Sequence, residues 1–496
     1  MIEEIPLVPF SPIATGDNRH FFIIENIYMI TAVKTRIEKD SMGELEIPAG
    51  AYYGVQTQRA VINFPISGWK THREQILATV HIKKAAALAN LELRQIEPAK
   101  AKAIIKAADE MLAGKYHDHV VVDVFQSGAG TSYHMNINEI LANRALEIMG
   151  QARGDYKKLS PNDDVNFGQS TNDVIPTTMR LMVLLNSRHF LPTLEKLRDS
   201  FAKKAKEFDG IIKAGRTHLQ DAVPVRLGQE FRAYATIMDM HIVRYKRVLE
   251  DFKALGIGGT AVGTGLNAHP KARFLIAGHL SKALKMKFTV ADDLFAAMQS
   301  MSPFVAMSGT LRNLGLDLVK ICGDLRLLTS GPKTGLAEIS LPPIQPGSSI
   351  MPGKVNPGMP EMLMMVCYQV AGNDQAIAFS SQAGQLELNV MMPLISLNLM
   401  TSLTILENAM QAFSTRCVDG IRANADRCHH FAERTASLVT ALNTHIGYLK
   451  AAEVAKEVLK AHKSIRQIVL EHKLMTEPEL KKALDLEAMT KASEKP

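Results

Sequence analysis

A mainly α protein built around a bundle of long helices is what this sequence predicts, and three observations carry the expectation. Strong helix formers dominate: Met counts 25 and Ala-rich runs such as Lys84–Asn90 recur, while aromatics make up only 6%. Apolar residues in the middle of the chain recur at steps of three and four over long stretches. Strand signals are few and short. At 496 residues the chain exceeds the roughly 250–300 at which one hydrophobic core stops growing, so two or three domains are expected.

Taken in order, residues 1–28 open with Glu3 and Glu4 and hold only the short apolar patch Phe21–Ile24. They lack a basic leader and cannot span a bilayer, so they are neither signal peptide nor anchor, and Met29 is a candidate start. Thr35–Phe64, rich in Gly, Pro and Tyr, reads as loops with short strands. Ile76–Leu91 is an Ala-rich helix, Ala99–Ala113 an amphipathic one stopped by Gly114, and Asn138–Met149 a third, closed by Gly150. In Leu194–Phe208 the apolar positions are Leu194, Leu197, Phe201, Ala205 and Phe208. In Phe231–Leu249 they are Phe231, Tyr234, Met238, Ile242, Tyr245 and Leu249. Both patterns are single helical faces.

Two further helices run through Ser308–Leu328 and Glu361–Ala378. The Met run in Glu361–Val366 is core filling rather than a metal site. From Met392-Pro393 another helical stretch extends to about Gly420. Beyond Asn424 the helices shorten into a small C-terminal domain, and the charged end Lys481–Pro496 reads as frayed. Long helices with 3–4 spacing imply a bundle.

The net charge of +7 suits solubility or attraction of an anionic ligand. Nucleic-acid binding is excluded, because no patch of Lys and Arg lies beside stacking aromatics. Cys322, Cys367, Cys417 and Cys428 are far apart with no C-x-x-C pair. They read as buried thiols of a reducing compartment, and the expected location is cytoplasmic.

The segment richest in chemistry is Gly347-Ser348-Ser349-Ile350-Met351-Pro352-Gly353-Lys354-Val355-Asn356-Pro357. It packs two hydroxyls, a cation, an amide and two glycines into one loop leading into a helix. A structural loop rarely needs that combination; an anion-binding or catalytic loop does, through backbone N–H groups that stabilise negative charge. It is not a P-loop: the glycine spacing is one residue too long and Val355 replaces the Ser/Thr. Gly256-Ile257-Gly258-Gly259-Thr260-Ala261 fits a dinucleotide fingerprint, but a charged helix precedes it where a strand is required. Those glycines more simply allow close approach of loops and helices. His218 sits among Thr217, Gln220 and Asp221, in a polar cluster expected at a helix end that a core would not accept cheaply.

The Gly347–Pro357 loop closely resembles the signature loop of the fumarase/aspartase superfamily, and the resemblance runs from about Thr35 over nearly the whole chain. Gly128-Ala129-Gly130-Thr131-Ser132 with Met135-Asn136, and Gly215-Arg216-Thr217-His218-Leu219-Gln220-Asp221-Ala222, match its other two blocks in order. Gly168-Gln169-Ser170-Thr171-Asn172-Asp173 adds a fourth. The resemblance implies a three-domain fold whose long-helix bundle forms the core of a homotetramer. Its parts here are an N-terminal extension over residues 1–34, a first domain over 35–171, the central bundle over 172–426, and a small helical domain over 427–496.

It also implies an enzyme that eliminates a small group from a four-carbon dicarboxylate, with each active site drawn from three subunits and with no cofactor, metal, nucleic acid or membrane involved. The Gly128–Ser132 block and Gln385-Leu386-Glu387-Leu388-Asn389-Val390-Met391 are aspartase-like, and Ser160 stands where many fumarases have a His. His218 and Thr440–Tyr448 are fumarase-like. His134, where both branches usually have Asn, and Met392, where aspartases usually have Glu, fit neither. The balance implies a carbon–nitrogen lyase that removes ammonia from L-aspartate to give fumarate. The alternatives are a class II fumarate hydratase and an inactive structural or regulatory relative, the latter opposed by the intact Ser348, Lys354 and Asn356.

By the same resemblance Ser348 is the general base, and His218 pairs with Glu338. Thr131, Ser170, Thr171 and Ser349 hold the β-carboxylate, while Lys354, Asn356 and Thr217 hold the α-carboxylate. Asn172 and His218 contact the amino group.

Overall fold

The computed structural model describes residues 34–461 and 463–491. The expectations for residues 1–28 and for a start at Met29 therefore lie outside the described residues. The N-terminal strands β1 (Thr35–Asp40) and β2 (Gly43–Pro48) pair antiparallel. Arg36 locks this ribbon to the loop that follows, donating to the carbonyls of Pro48, Ala49, Ala51 and Tyr53. The Gly- and Pro-rich composition concealed one helix here, α1 (Val55–Asn63). Its first amides, Gly54, Gln56 and Thr57 N–H, all donate to the buried Glu139 carboxylate, a cap supplied from a distant part of the chain.

The helices α2 (Arg73–Glu92), α3 (Pro98–Leu112) and α4 (Thr131–Ile148) follow. The expected Asn138–Met149 helix thus starts two turns earlier, inside the Gly128–Ser132 block. Next comes α5 (Thr171–Glu207), 37 residues and so about 55 Å long. Strands β3 (Ile212–Thr217) and β4 (Gln220–Arg226) form a hairpin before α6 (Leu227–Glu250). Then come α7 (Ala272–Leu284), α8 (Leu294–Gln299), α9 (Ser302–Leu328), α10 (Gly358–Gln382) and α11 (Met392–Arg416).

The bundle is α5 packed on α6 and α11, and α10 packed on α9 and α11. Its core includes the Phe201, Phe231 and Phe413 rings in edge or tilted contact, and the predicted Phe231–Leu249 face is buried as expected. Full burial of an aromatic ring of this size stabilises by about 1.5–3 kcal/mol, so such faces, rather than helix propensity, hold the bundle. Met392, one of the two sequence departures, is fully buried at the start of α11 and belongs to this core.

Short helices from Ala425–Arg434 to Leu486–Thr490 complete the described chain. Leu438, Leu442, Val454, Ile465, Ile468, Val469 and Leu480 form a core of their own there. The stretch expected to fray is helical in part: Glu477–Ala483 opens with a Thr476–Glu479 capping box.

Candidate active site

The first group of polar residues gathers where α4 and α5 begin. Ser170 caps α5 reciprocally: its Oγ accepts from Asn172 N–H at 3.2 Å, and its own N–H donates to Asp173 at 2.9 Å. The other Asp173 oxygen accepts from Gly258 and Thr260 N–H. The glycine segment with the dinucleotide-like spacing therefore serves as a bracket that fixes the start of α5. Asn172 donates its amide N–H to the Ala261 carbonyl at 2.8 Å, which turns its amide oxygen outward. Thr131, exposed, is the first residue of α4, and Thr171, half-buried, is the first of α5. Helix N-termini present unsatisfied N–H groups and a positive dipole end, so the two threonines sit where an anion is favoured.

The backbone approaches closely at this point. Ala129 N–H donates to Val390 O at 2.8 Å, and a Cβ on Gly128 would lie 2.9 Å from that of Val390. The Gly128–Ser132 and Gln385–Met391 blocks are thus brought together. Beneath them Lys83 is buried, donating to Asn166 and Gln169, and burial pushes its ammonium down to about 7. Burial likewise raises the Asp173 carboxyl to about 6 against the three N–H bonds it accepts. Neither Lys83 nor Asp173 stood out in the sequence as a functional candidate. A lysine in an Ala-rich helix looks like a solvated one, and only the burial of its face shows otherwise.

The second group lies on the β3–β4 hairpin. Thr217, His218, Leu219 and Gln220 are all exposed, and His218 and Leu219 take positive φ of 53° and 60°. The expected helix end is instead the two-residue turn of a hairpin, whose type I′ geometry needs φ > 0 at both positions. Asn-Gly is the usual occupant. Holding His and Leu there costs about 1 kcal/mol or more each, a strain typical of functional sites.

The expected His218–Glu338 pair is not formed. Glu338 is fully buried, accepts from Arg216 at 2.9 and 3.1 Å, and lies 3.2 Å from Lys213. Both cations project from β3 itself, so the carboxylate is spent on anchoring the base of the hairpin and cannot reach the exposed imidazole at its tip. Glu338 thus anchors the hairpin, and the expected pair with His218 is not present within the chain.

The third group is the Gly347–Pro357 loop. Gly347 N–H donates to Lys354 O at 2.8 Å and Asn356 donates its side-chain N–H to Gly347 O at 2.6 Å, closing the loop on itself. A Cβ on Gly347 would strike the Lys354 carbonyl, so glycine is required. Inside this closure Ser348 Oγ accepts two backbone N–H groups, from Met351 at 2.9 Å and Ile350 at 3.2 Å. Ser349, next door, accepts none of these. Lys354 is exposed, with no ion pair among the described residues. The loop encloses an open space of about 470 Å³.

The chain therefore gathers Ser170, Thr171 and Asn172 at the start of α5, where Thr171 meets α4 through His134, and Thr131 opens α4 itself. No hydrogen bond or ion pair among the described residues joins them to Thr217 and His218, or either group to Ser348, Ser349, Lys354 and Asn356. Ser160 caps the turn Pro161–Val165, and no group of three or more potential metal-binding side chains occurs among the described residues.

Comparison with known proteins places the chain among lyases. A family model described as "Lyase" matches residues 43–372, and one described as "Fumarase C C-terminus" matches 438–491. Aspartate ammonia-lyase of Bacillus subtilis (strain 168) is 48% identical over 92% of this chain and 96% of its own. Class II fumarate hydratase of Neisseria meningitidis is 45% identical over 90% and 96%. A crystal structure titled fumarate lyase:delta crystallin, from Brucella melitensis and bound to cobalt, superposes with a TM-score of 0.89 at 46% identity, covering 92% of this chain and all of the other.

Proposed function

This chain belongs to the fumarase/aspartase lyase family, and from that premise we propose that it eliminates ammonia from L-aspartate to give fumarate, reversibly. The observation that carries the reading is the pair of amide N–H groups directed at Ser348 Oγ. The reaction must take a proton from C3, beside a carboxylate, where carbon is a very weak acid. A serine can do so only as an alkoxide, and donors already aimed at its oxygen stabilise that charge without rearrangement.

In the proposed reaction Ser348 alkoxide takes the C3 proton, and the C–H electron pair moves into the neighbouring carboxylate as a doubly charged aci-carboxylate. Collapse of that intermediate forms the C2–C3 double bond and breaks the C2–N bond, releasing ammonia. The serine proton then passes to solvent. Thr131, Ser170, Thr171 and Ser349 surround the β-carboxylate, where charge accumulates, with the two helix N-termini behind them. Lys354, Asn356 and Thr217 hold the α-carboxylate. The amide oxygen of Asn172, freed by its bond to Ala261, accepts from the substrate ammonium beside His218. An ammonium needs no acid to depart as ammonia; the water lost from malate would.

No hydrogen bond or ion pair among the described residues joins these groups within one chain, which supports a site completed by three subunits of a homotetramer. The bundle offers the surface. Met240 and Val243 on α6, Leu316 and Leu327 on α9, and Met365, Tyr368 and Phe379 on α10 are exposed, and on each helix their spacing of three or eleven places them on one face. Four free, buried thiols fit a reducing cytoplasm, and no described helix is long and apolar enough to cross a membrane.

The test is the ultraviolet absorbance of fumarate with L-aspartate and L-malate supplied separately. Release from aspartate, with little or none from malate, is expected. Equal or faster turnover of malate would make the protein a fumarase.

A further inference from the structure

His134 lies one helical turn beyond Thr131 on α4 and is 1% exposed. Its Nδ1 stands 2.8 Å from Thr171 Oγ1, while its Nε2 is buried with no hydrogen-bond partner. We infer that His134 is a positioning residue that donates to the Thr171 hydroxyl and so keeps the Thr171 proton directed at the substrate carboxylate. The inference rests on the proposed role of Thr171 as a carboxylate ligand.

A neutral imidazole carries one N–H, and the two places for it have opposite consequences. On Nε2 it would be a buried donor with no acceptor, an arrangement native structures rarely tolerate. Nδ1 would then draw the Thr171 proton inward, leaving only oxygen lone pairs to face an anion. On Nδ1 the ring donates to Oγ1, the hydroxyl proton is free to point outward, and the unmet atom is a bare nitrogen lone pair. Burial and the nearby Lys83 charge hold this imidazole well below its usual range, so the ring stays neutral. An asparagine at this position could serve Thr171 in the same way. The donor nitrogen is bonded to Cγ in both, so an asparagine NH2 reaches the same place, and Thr171 is served identically.

The experiment compares wild-type, His134→Leu and His134→Asn tetramers with L-aspartate, and repeats His134→Leu in a Thr171→Val background. Loss of a hydrogen bond that orients a donor to a charged group should raise KM about tenfold in His134→Leu. His134→Asn should restore it, and with Thr171→Val already present His134→Leu should add nothing. An assembled His134→Leu enzyme with unchanged KM, or one that loses as much again without the Thr171 hydroxyl, overturns the inference. Should His134→Leu fail to assemble, 15N-histidine spectra of the wild-type protein decide, with the His134 signal identified by difference from His134→Asn. A proton on Nδ1 is expected and a proton on Nε2 overturns the inference. Absence of any turnover of aspartate by the wild type would instead overturn the proposed function, and the spectra would still report the tautomer.

Discussion

Ser348 and Ser349 are adjacent and chemically alike, yet the fold gives them different surroundings. Ser348 Oγ receives two amide N–H groups within the closed loop, whereas Ser349 has neither of them and is exposed. An oxygen with donors already in place is the one that can carry charge. Ser348→Ala should therefore lower kcat by on the order of a thousandfold, with substrate affinity and assembly retained, because a base acts only in the transition state. Ser349→Ala should keep more of kcat. Lys354→Ala should raise KM as well, since a cation facing a carboxylate contributes before the reaction begins. Deuterium exchange from solvent into C3 of aspartate reports proton removal directly; exchange at the wild-type rate in Ser348→Ala would assign the base elsewhere. These residues stood out as candidates because loop chemistry is local: glycines, hydroxyls and a cation compressed into a few positions have little other use. The partners of Glu338 did not. Nothing in the sequence shows that Arg216 and Lys213, on the same strand, both turn towards Glu338 and exhaust it.

At the scale of elements, sequence periodicity located nearly every long helix, placed the start of α11 at Met392, and put the beginnings of α4 and α5 too late. The missing half of α5 is instructive. Thr171–Arg180 carries Pro176 and three threonines, all poor helix formers, and the segment is helical because its end is fixed from outside. Asp173 is held by Gly258 and Thr260, and the residues that follow are buried on every side. Tertiary contacts override propensity there. The hairpin shows the converse. His-Leu at its turn has no hairpin propensity, and its geometry survives because β3 is anchored below. Glu338→Gln tests that anchor. Removing one charge from a buried cluster that includes Lys213 and Arg216 leaves uncompensated cations, and should destabilise the protein by about 3 kcal/mol. Thermal denaturation should show the loss. A variant with wild-type stability and a changed titration of His218 would restore the carboxylate–imidazole pair rejected above.

For the whole molecule, the decisive feature is that the proposed site residues of one chain fall into groups that no hydrogen bond or ion pair among the described residues joins. The tetramer was implied by resemblance rather than by any pattern of residues. The reason is physical: an apolar helix face predicts burial but not whether the same chain or another copy covers it. The faces of α6, α9 and α10 remain exposed in the single chain, so replacing Tyr368 on α10 by Glu should dissociate the assembly and abolish turnover together. Light scattering beside the fumarate assay checks that. A stricter test needs no disruption. Ser348→Ala disables the loop group, and His218→Ala disables the hairpin group. If each site draws these groups from different subunits, mixed tetramers will contain some sites that receive both intact. The two inactive variants are co-refolded in equal amounts. A given site then has a one-half chance of an unmutated loop and an independent one-half chance of an unmutated hairpin, so about a quarter of wild-type activity should appear. If both groups of a site came from the same chain, every site would carry one defect or the other, and mixing would restore nothing. Activity that stays at the level of the separate variants, with mixed tetramers verified by mass, would place the loop and hairpin groups of each site within one subunit.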